Sequence, residues 1–444
     1  MRVFRWPGNV LRGLLIFVFV LLVAIVYGLG RLVTLFIFDA GKRARVVAKW
    51  RGKILRFSMT QLGATFIKMG QVMSTRPDLF APEVIDELRV LQDRLPPFAF
   101  WRVRRIIEQD FGQPLSERFS ELDRVPVAAA SVAQVHRGRL IDGTEVAVKV
   151  LRPSIRRHVE RDAAILIFGA RLLHISPSLQ LSDPVGHTRH FVQAIIDQTD
   201  LRLERDNYRR FRDNFKGEQG VEFPIVHEEH CTERVLTMEF IRGVKLDQLP
   251  ADEYPVLAKR VRLMMFKMCF EDGFLHADLH PGNMMVVNRN ELVVFDVGLA
   301  KLLGEDVLVQ FIDMSKCLSM GTVDDLVGHL KRFHTYLDDV DWGALRAEVQ
   351  VFADEFRSKD VKDLEYSELL GGILALGRRY RVRPVTDMAL VFVALVTAQG
   401  IGKQLNPNSN VFAETAQFLL PILMRRGESI PDSPEARKAG STTP

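Results

Sequence analysis

The hydrophobic pattern changes period several times along the chain, and each change predicts a different element. Leu14 to Gly30 carries no charged residue, and apolar character continues past Arg31 to Phe38. A helix of about 17 residues at 1.5 Å each spans roughly 26 Å, enough for a bilayer core. From 39 to 127 the spacing is helical. Lys42–Phe57 is basic and amphipathic, suited to a lipid surface. Pro82 fits the first turn of a helix running to Leu95, which Pro96 and Pro97 stop. Trp101–Phe111 puts Val103, Ile106, Ile107 and Phe111 on one side of another helix.

Near Val135 the period drops to two. Val135–Ile141, the turn Asp142-Gly143 and Glu145–Val150 predict a β-hairpin. Helices follow from Ile155 to Leu173 and from His187 to Phe215, then strands at Phe223–Val226 and Arg234–Phe240. Ile241-Arg242-Gly243 reads as a linker, and Tyr254–Glu271 as a long apolar helix. Met284–Val287 and Leu292–Phe295 are short strands, and Gly304 to Met424 is mostly helical. Glu428–Pro444, rich in Ser, Pro and Thr, is expected to be disordered. The plan is α+β: a membrane anchor (1–38), a helical N-terminal extension (39–127), a small sheet-bearing lobe (128–241), a helical lobe (242–427) and a tail (428–444). It has no internal repeat.

A chain of 444 residues, 47% hydrophobic and 26% charged, can bury a large core in two or three units. Its formal charge of +5 is modest and gathers near the N-terminus, which points to anionic lipid and not to nucleic acid. Cys231, Cys269 and Cys317 are far apart and lack C-x-x-C spacing, which excludes a disulfide framework or zinc site and fits a reducing compartment. The apolar run is too long for a signal peptide, and no Ala-x-Ala-like site follows it. Basic residues cluster after it, from Arg31 through Lys42, Arg43, Arg45, Lys49, Arg51, Lys53 and Arg56. The positive-inside rule then sets the main domain on the cytoplasmic face of the inner (plasma) membrane. Shallow monotopic insertion is the alternative.

Candidate chemistry lies in Phe274–Asn283, Phe-Leu-His-Ala-Asp-Leu-His-Pro-Gly-Asn, and in the later Asp296-Val-Gly298. Kinase-type phosphoryl transfer uses such a set: one Asp orients the acceptor, and an Asn and a second Asp hold Mg²⁺. Asp278, Asn283 and Asp296 stand in that order, and their oxygens suit a hard cation that also binds the phosphates of ATP. Pro281-Gly282 is expected to fold Asn283 back toward Asp278, and Gly298 to relax the backbone after the metal ligand. His276 reads as a structural histidine of the loop. Lys149, ending Val-Ala-Val-Lys, matches the phosphate-binding lysine of the kinase pattern. It needs an anionic partner on a helix of the same lobe. Asp200 and Glu204 share a helix face, and Glu204 is assigned to it. Glu239, just before the linker, is expected near the adenine.

A typical protein kinase has a Gly-rich loop before its lysine. Here the stretch is Ala128-Ala129-Ala130-Ser131, and alanine disfavours the left-handed backbone that glycine allows. With these residues assembled, the chain resembles the UbiB/AarF family of atypical kinases from about Ala64 to Lys301, and more loosely to about Leu405. Lys68-Met-Gly70-Gln71 is similar to the family's K-x-G-Q, and Ala128–Ser131 to its Ala-rich loop. Gln198-Thr-Asp200 falls on its E-x-D, and His276–Asn283 with Asp296-Val-Gly298 on its catalytic and metal elements.

The resemblance implies a protein-kinase-like two-lobed fold with a helical extension, binding ATP or ADP and Mg²⁺. It implies that Lys68 and Gln71 cap the site and exclude protein substrates. Lys149 and Glu204 would position phosphates, Asp278 would orient the acceptor or water, and Asn283 and Asp296 would bind Mg²⁺. It also implies a part in the biosynthesis or distribution of isoprenoid lipids, notably ubiquinone. Partners would be membrane lipids, an isoprenoid quinone or precursor, and quinone-biosynthetic enzymes. One departure is Gln198, an amide where the family has an acid, which removes a charge expected to attract Lys68. Another is an anchor at the front of the chain, where bacterial members often carry C-terminal apolar helices. Two other readings are a small-molecule phosphotransferase of the aminoglycoside or choline kinase type and a nucleotide-binding pseudokinase scaffold. The first class lacks K-x-G-Q and the Ala-rich loop. Against the second stands the intact set of Lys149, Asp278, Asn283 and Asp296.

Overall fold

A computed structural model describes residues 7–36, 39–74, 80–91, 96–175, 184–249, 254–288, 290–336, 339–360, 363–406, 414–415, 417–419 and 421–422. The predicted tail 428–444 and the helix end at Leu95 lie outside the described residues. The chain divides into two compact units. The first comprises Met1–Asp213, Phe223–Arg242 and Asp296–Leu299, and the second Asn214–Glu222, Gly243–Phe295 and Ala300–Pro444.

In the first unit, helices run over Pro7–Val33, Ala40–Leu62, Ala64–Ser74 and Pro82–Arg89. The Asp39 carboxylate caps the second of these by accepting from the Lys42 N–H at 2.6 Å. Their apolar stripes close on one cluster with Met59, Phe66, Ile67, Leu88, Leu91 and Phe191 at its centre. Gly70, in the K-x-G-Q motif, lies where this packing is tightest: a Cβ there would overlap Leu91 and Met59 side chains. Gly70→Ala gains about 1 kcal/mol of helix propensity but overpacks this contact at a cost of about 1–3 kcal/mol, so a net loss of up to about 2 kcal/mol is expected. A melting temperature at or above that of the wild type would overturn that assignment.

The sheet of the first unit is antiparallel, in the order Phe119–Leu122, Ala133–Leu140, Glu145–Leu151, Val235–Glu239, with Ala128–Ala129 also on Ala133–Leu140. The predicted hairpin is present. Val146, Val148 and Val150 turn one face onto Val103, Ile106 and Ile107 of the helix Phe100–Phe111. The strand Phe119–Leu122 corrects the helical reading of 39–127. Its two exposed central residues leave too short an alternation to register as a strand.

The helix expected over 187–215 is two helices, Pro184–Asp197 and Leu201–Asn214. At the break, Thr199 Oγ1 donates to the Ile196 carbonyl (2.7 Å) and the Asp200 carboxylate accepts from the Arg202 N–H (3.1 Å). Short polar side chains that bond local backbone in this way compete with helix continuation.

The second unit holds a four-stranded sheet in the order Val221–Glu222, Glu291–Val294, Met284–Val287, Val244–Lys245. The strand expected at Phe223–Val226 thus sits earlier, and Val226 makes only an isolated bridge to Met238. Phe223 is taken instead by a ring stack on Phe211 at 4.9 Å. Of the predicted helix Tyr254–Glu271, Pro255–Phe266 is α and Lys267–Glu271 is a π turn, which the Asp272 N–H closes onto the Lys267 carbonyl at 2.9 Å. Helices Val307–Met320, Val323–Phe333, Trp342–Arg357, Tyr366–Tyr380 and Thr386–Leu405 complete the unit. Among them lies a cavity of about 50 Å³ lined by apolar side chains with His329 and His334. His329 Nδ1 sits 2.7 Å from the Asp313 carboxylate, whereas neither ring nitrogen of buried His334 meets a partner among the described residues.

Among the described residues, Arg12–Leu32 and Asp387–Leu405 are long and apolar enough to cross a membrane. The second is 61% buried over its apolar window and reads as a core helix, whereas the first is 6% buried.

Candidate active site

Alternation along Glu145–Leu151 sets Lys149 on the face of the sheet opposite Val148 and Val150. There its Nζ donates to both Glu204 oxygens, each at 2.8 Å, and to Asp296 Oδ1 at 2.9 Å. Lys149 and Glu204 are nearly enclosed, while the Asp296 side chain is 42% exposed. Burial opposes charge on Lys149, but the Asp296 and Glu204 carboxylates outweigh it and hold its pKa above the usual lysine value. Glu204 is raised, first by burial and then by Asp296, against the opposing pull of Lys149 and Lys68.

The helix Leu201–Asn214 organises this trio through residues that the sequence reasoning passed over. Tyr208, fully buried, accepts the Asp296 N–H on its hydroxyl at 3.0 Å, and Asn207 Nδ2 donates to the Val297 carbonyl at 2.9 Å. Asn207 and Tyr208 lie three and four residues after Glu204, which places all three on one helix face. That spacing was the available signal. The Tyr208 bond holds Asp296 at φ 52°, a left-handed conformation that a non-glycine residue adopts at some cost. Gly298, expected to relax this backbone, is not the left-handed residue. Its role is steric, since a Cβ there would stand 3.3 Å from Glu204 Oε2.

Lys68 is buried on the helix Ala64–Ser74, and its positive charge acts on Glu204. Gln71 Nε2 donates to the Leu91 carbonyl at 3.1 Å, a contact within its own helical layer. Gln198 sits at the helix break, and Asp200 is bound by Arg202, which lowers its pKa. The Ala-rich segment is a tight turn: the Ala130 N–H donates to the Ala133 carbonyl at 2.8 Å, and Arg152 Nε donates to the Ala130 carbonyl at 2.9 Å. Ser131 is buried in it. Glu239 pairs with Val146, so its side chain shares the face of Val146 and not that of Lys149, and its carboxylate accepts from the Ile225 N–H at 3.3 Å, which clamps the strand end.

In the second unit, Pro281–Asn283 forms a tight turn that returns Asn283 to Asp278, whose carbonyl accepts Asn283 Nδ2 at 3.1 Å. A carbonyl only accepts, so the amide orientation is fixed and Asn283 Oδ1 remains as its acceptor. His276 is buried, accepts the Asp278 N–H on Nδ1 (3.3 Å) and donates from Nε2 to the Phe295 carbonyl (3.2 Å), a structural role. Among the described residues no cluster of three or more His, Cys, Asp or Glu side chains could hold a metal by itself. Asp296 and Asn283 offer hard oxygen donors, the type that Mg²⁺ takes alongside phosphate oxygens, so the residue types fit that ion.

A kinase-like arrangement of this kind is also what comparison with known proteins returns. Residues 90–323 match the ABC1 atypical kinase-like domain, and residues 349–410 match the UbiB helical domain. A probable protein kinase UbiB of Pseudomonas fluorescens is 33% identical over 393 residues, covering 84% of this chain and 72% of that one. An uncharacterized protein of Synechocystis, sll1770, is 31% identical over 390 residues, 86% of this chain and 66% of that one. The chain therefore spans about two thirds to three quarters of the length of these relatives. The solved complex of Rv3197 with erythromycin from Mycobacterium tuberculosis has a similar fold, with a TM-score of 0.54 at 20% identity over 78% of this chain and 86% of that one. The chain belongs to the UbiB family of ABC1 atypical kinase-like proteins.

Proposed function

We propose that this chain is a membrane-anchored atypical kinase or ATPase that uses Mg-ATP to support the biosynthesis or handling of an isoprenoid quinone, ubiquinone or a related lipid. The observation that carries the reading is Lys149 bonded to both Glu204 and Asp296. In this reading Lys149 positions phosphates, Glu204 holds Lys149, and Asp278 orients the acceptor or a water. Asn283 and Asp296 supply oxygens for Mg²⁺. The bound nucleotide would supply the phosphoryl group, and the ion would offset its charge. The Ala128–Ser131 turn would cover the phosphates, and Lys68 with Gln71 would restrict what else enters. The exposed apolar face of Pro7–Val33 and the basic helix Ala40–Leu62 support attachment to an anionic membrane, with the catalytic region on the cytoplasmic side. The UbiB name of its relatives supports quinone precursors and quinone-biosynthetic enzymes as partners.

The test is quinone and lipid profiling of a strain that lacks the gene. Depletion of an isoprenoid quinone, restored by the wild-type gene and not by Lys149→Ala, is the expected result. An unchanged quinone profile removes the substrate assignment. Full rescue by Lys149→Ala removes the catalytic one.

A further inference from the structure

On the first unit, away from the lysine trio, lies a cavity of about 840 Å³ whose lining includes none of Lys149, Glu204 or Asp296. Arg102, Arg105, Arg152, Arg156, Arg157 and Arg234 line it against a single acid, Glu233. Arg156 bonds Glu233 (2.9 Å) and Glu160 (3.2 Å), and Arg234 Nε bonds Asp110 (2.8 Å). Among the described residues Arg105 and Arg157 pair with no acid, and Arg102 lies over the exposed Trp101 ring at 5.1 Å, also without an acid. Like charges gathered on a concave surface repel, and an anion relieves them. Guanidinium forks suit phosphate in particular, because each can donate two parallel hydrogen bonds. The first turn of the helix Ile155–His174 opens on the same cavity and carries no acidic residue to offset its positive dipole end.

We propose that this cavity binds a ligand with clustered phosphate groups, either a soluble polyphosphate ester or a phosphorylated lipid headgroup. The site stands independently of the nucleotide reading, but two of its groups reach elements of that site. Arg152 holds the Ala130 carbonyl, and the Glu233 carbonyl accepts the Leu201 N–H (2.9 Å) at the start of the Glu204 helix.

The full chain, in detergent at low salt, is titrated calorimetrically with inositol hexakisphosphate. The variants are Arg105→Glu/Arg157→Glu, the milder Arg105→Gln/Arg157→Gln, and Lys216→Glu, a control at an exposed position elsewhere that matches the Gln pair in net charge. Affinity should fall at least tenfold in the Glu pair and less in the Gln pair, and should hold in the control. Co-sedimentation with phosphatidylcholine vesicles, with and without phosphatidylinositol bisphosphate, separates the sources. A vesicle gain that the Glu pair loses assigns a lipid headgroup, and loss of hexakisphosphate binding alone assigns a soluble ester. Binding that is absent in the wild type, unchanged in both pairs, or equally lost in Lys216→Glu overturns the proposal. Each variant must keep the wild-type melting temperature within about 2 °C. The Gln pair, which adds no negative charge, decides the case if the Glu pair does not.

Discussion

Lys149→Met is expected to lower ATP turnover at least a hundredfold, the scale seen when one preorganised charge partner is removed, and to destabilise the fold as well. Both effects follow from the same contacts. Lys149 is the cation bonded to Glu204, which is buried, and to Asp296. Without it, Glu204 keeps a desolvated carboxyl that has lost both hydrogen bonds to Nζ, and it either ionises at a cost or takes up a proton. Breaking a buried pair from one side costs about 3 kcal/mol. The exposed Asp296 contributes little to that cost, because water screens it. Adding Glu204→Gln should therefore restore most of the lost stability and none of the turnover. Urea midpoints and ATP hydrolysis on the single and double variants separate the two effects. A single variant with the wild-type midpoint removes the buried-pair argument, and a double variant that hydrolyses ATP normally removes the phosphate role of Lys149.

Acid should weaken the second unit through His334. Burial, reinforced by neighbouring His329, pushes its pKa down to about 3 in the folded chain, against about 6.5 when unfolded. Between those values the unfolded state binds the extra proton, so stability is present above about pH 6.5 and is lost as pH falls. At pH 5 the loss from this group is about 2 kcal/mol relative to neutral pH. Asp313 and His329, whose pKa values are also lowered, act in the same direction. Thermal melts of the wild type and His334→Phe from pH 7.5 to 5 check this. The variant should lose less stability on acidification, and parallel curves would remove His334 as the source.

The sequence made the hairpin, the linker and the loop around Asp278 legible because each rests on local signals: a period of two, a turn dipeptide, a fixed spacing. The pairing of Lys149 with Glu204 was legible for a different reason, since the phosphate-binding lysine of the kinase pattern needs an acid on a helix of the same lobe, and Asp200 and Glu204 were the candidates there. What escaped depends on longer-range geometry. Glu239 was placed by chain order, yet its orientation follows from register with Val146. Tyr208 resembled an ordinary core residue until its hydroxyl met the Asp296 backbone. The strand Phe119–Leu122 was too short to show its period. The break at Thr199-Asp200 depended on side chains that bond local backbone, in a stretch whose apolar spacing continues through it.

Asp296–Leu299 belongs with the first unit although its flanks on both sides belong to the second. The two units are therefore not successive stretches of the gene. A fragment that stops at Arg242 would retain Lys149, Glu204 and Tyr208 but lose the aspartate they hold. A fragment that begins at Gly243 would carry a stray segment of its neighbour. Recombination at the apparent linker can exchange neither unit intact, so the lysine trio must be inherited as a property of the whole chain.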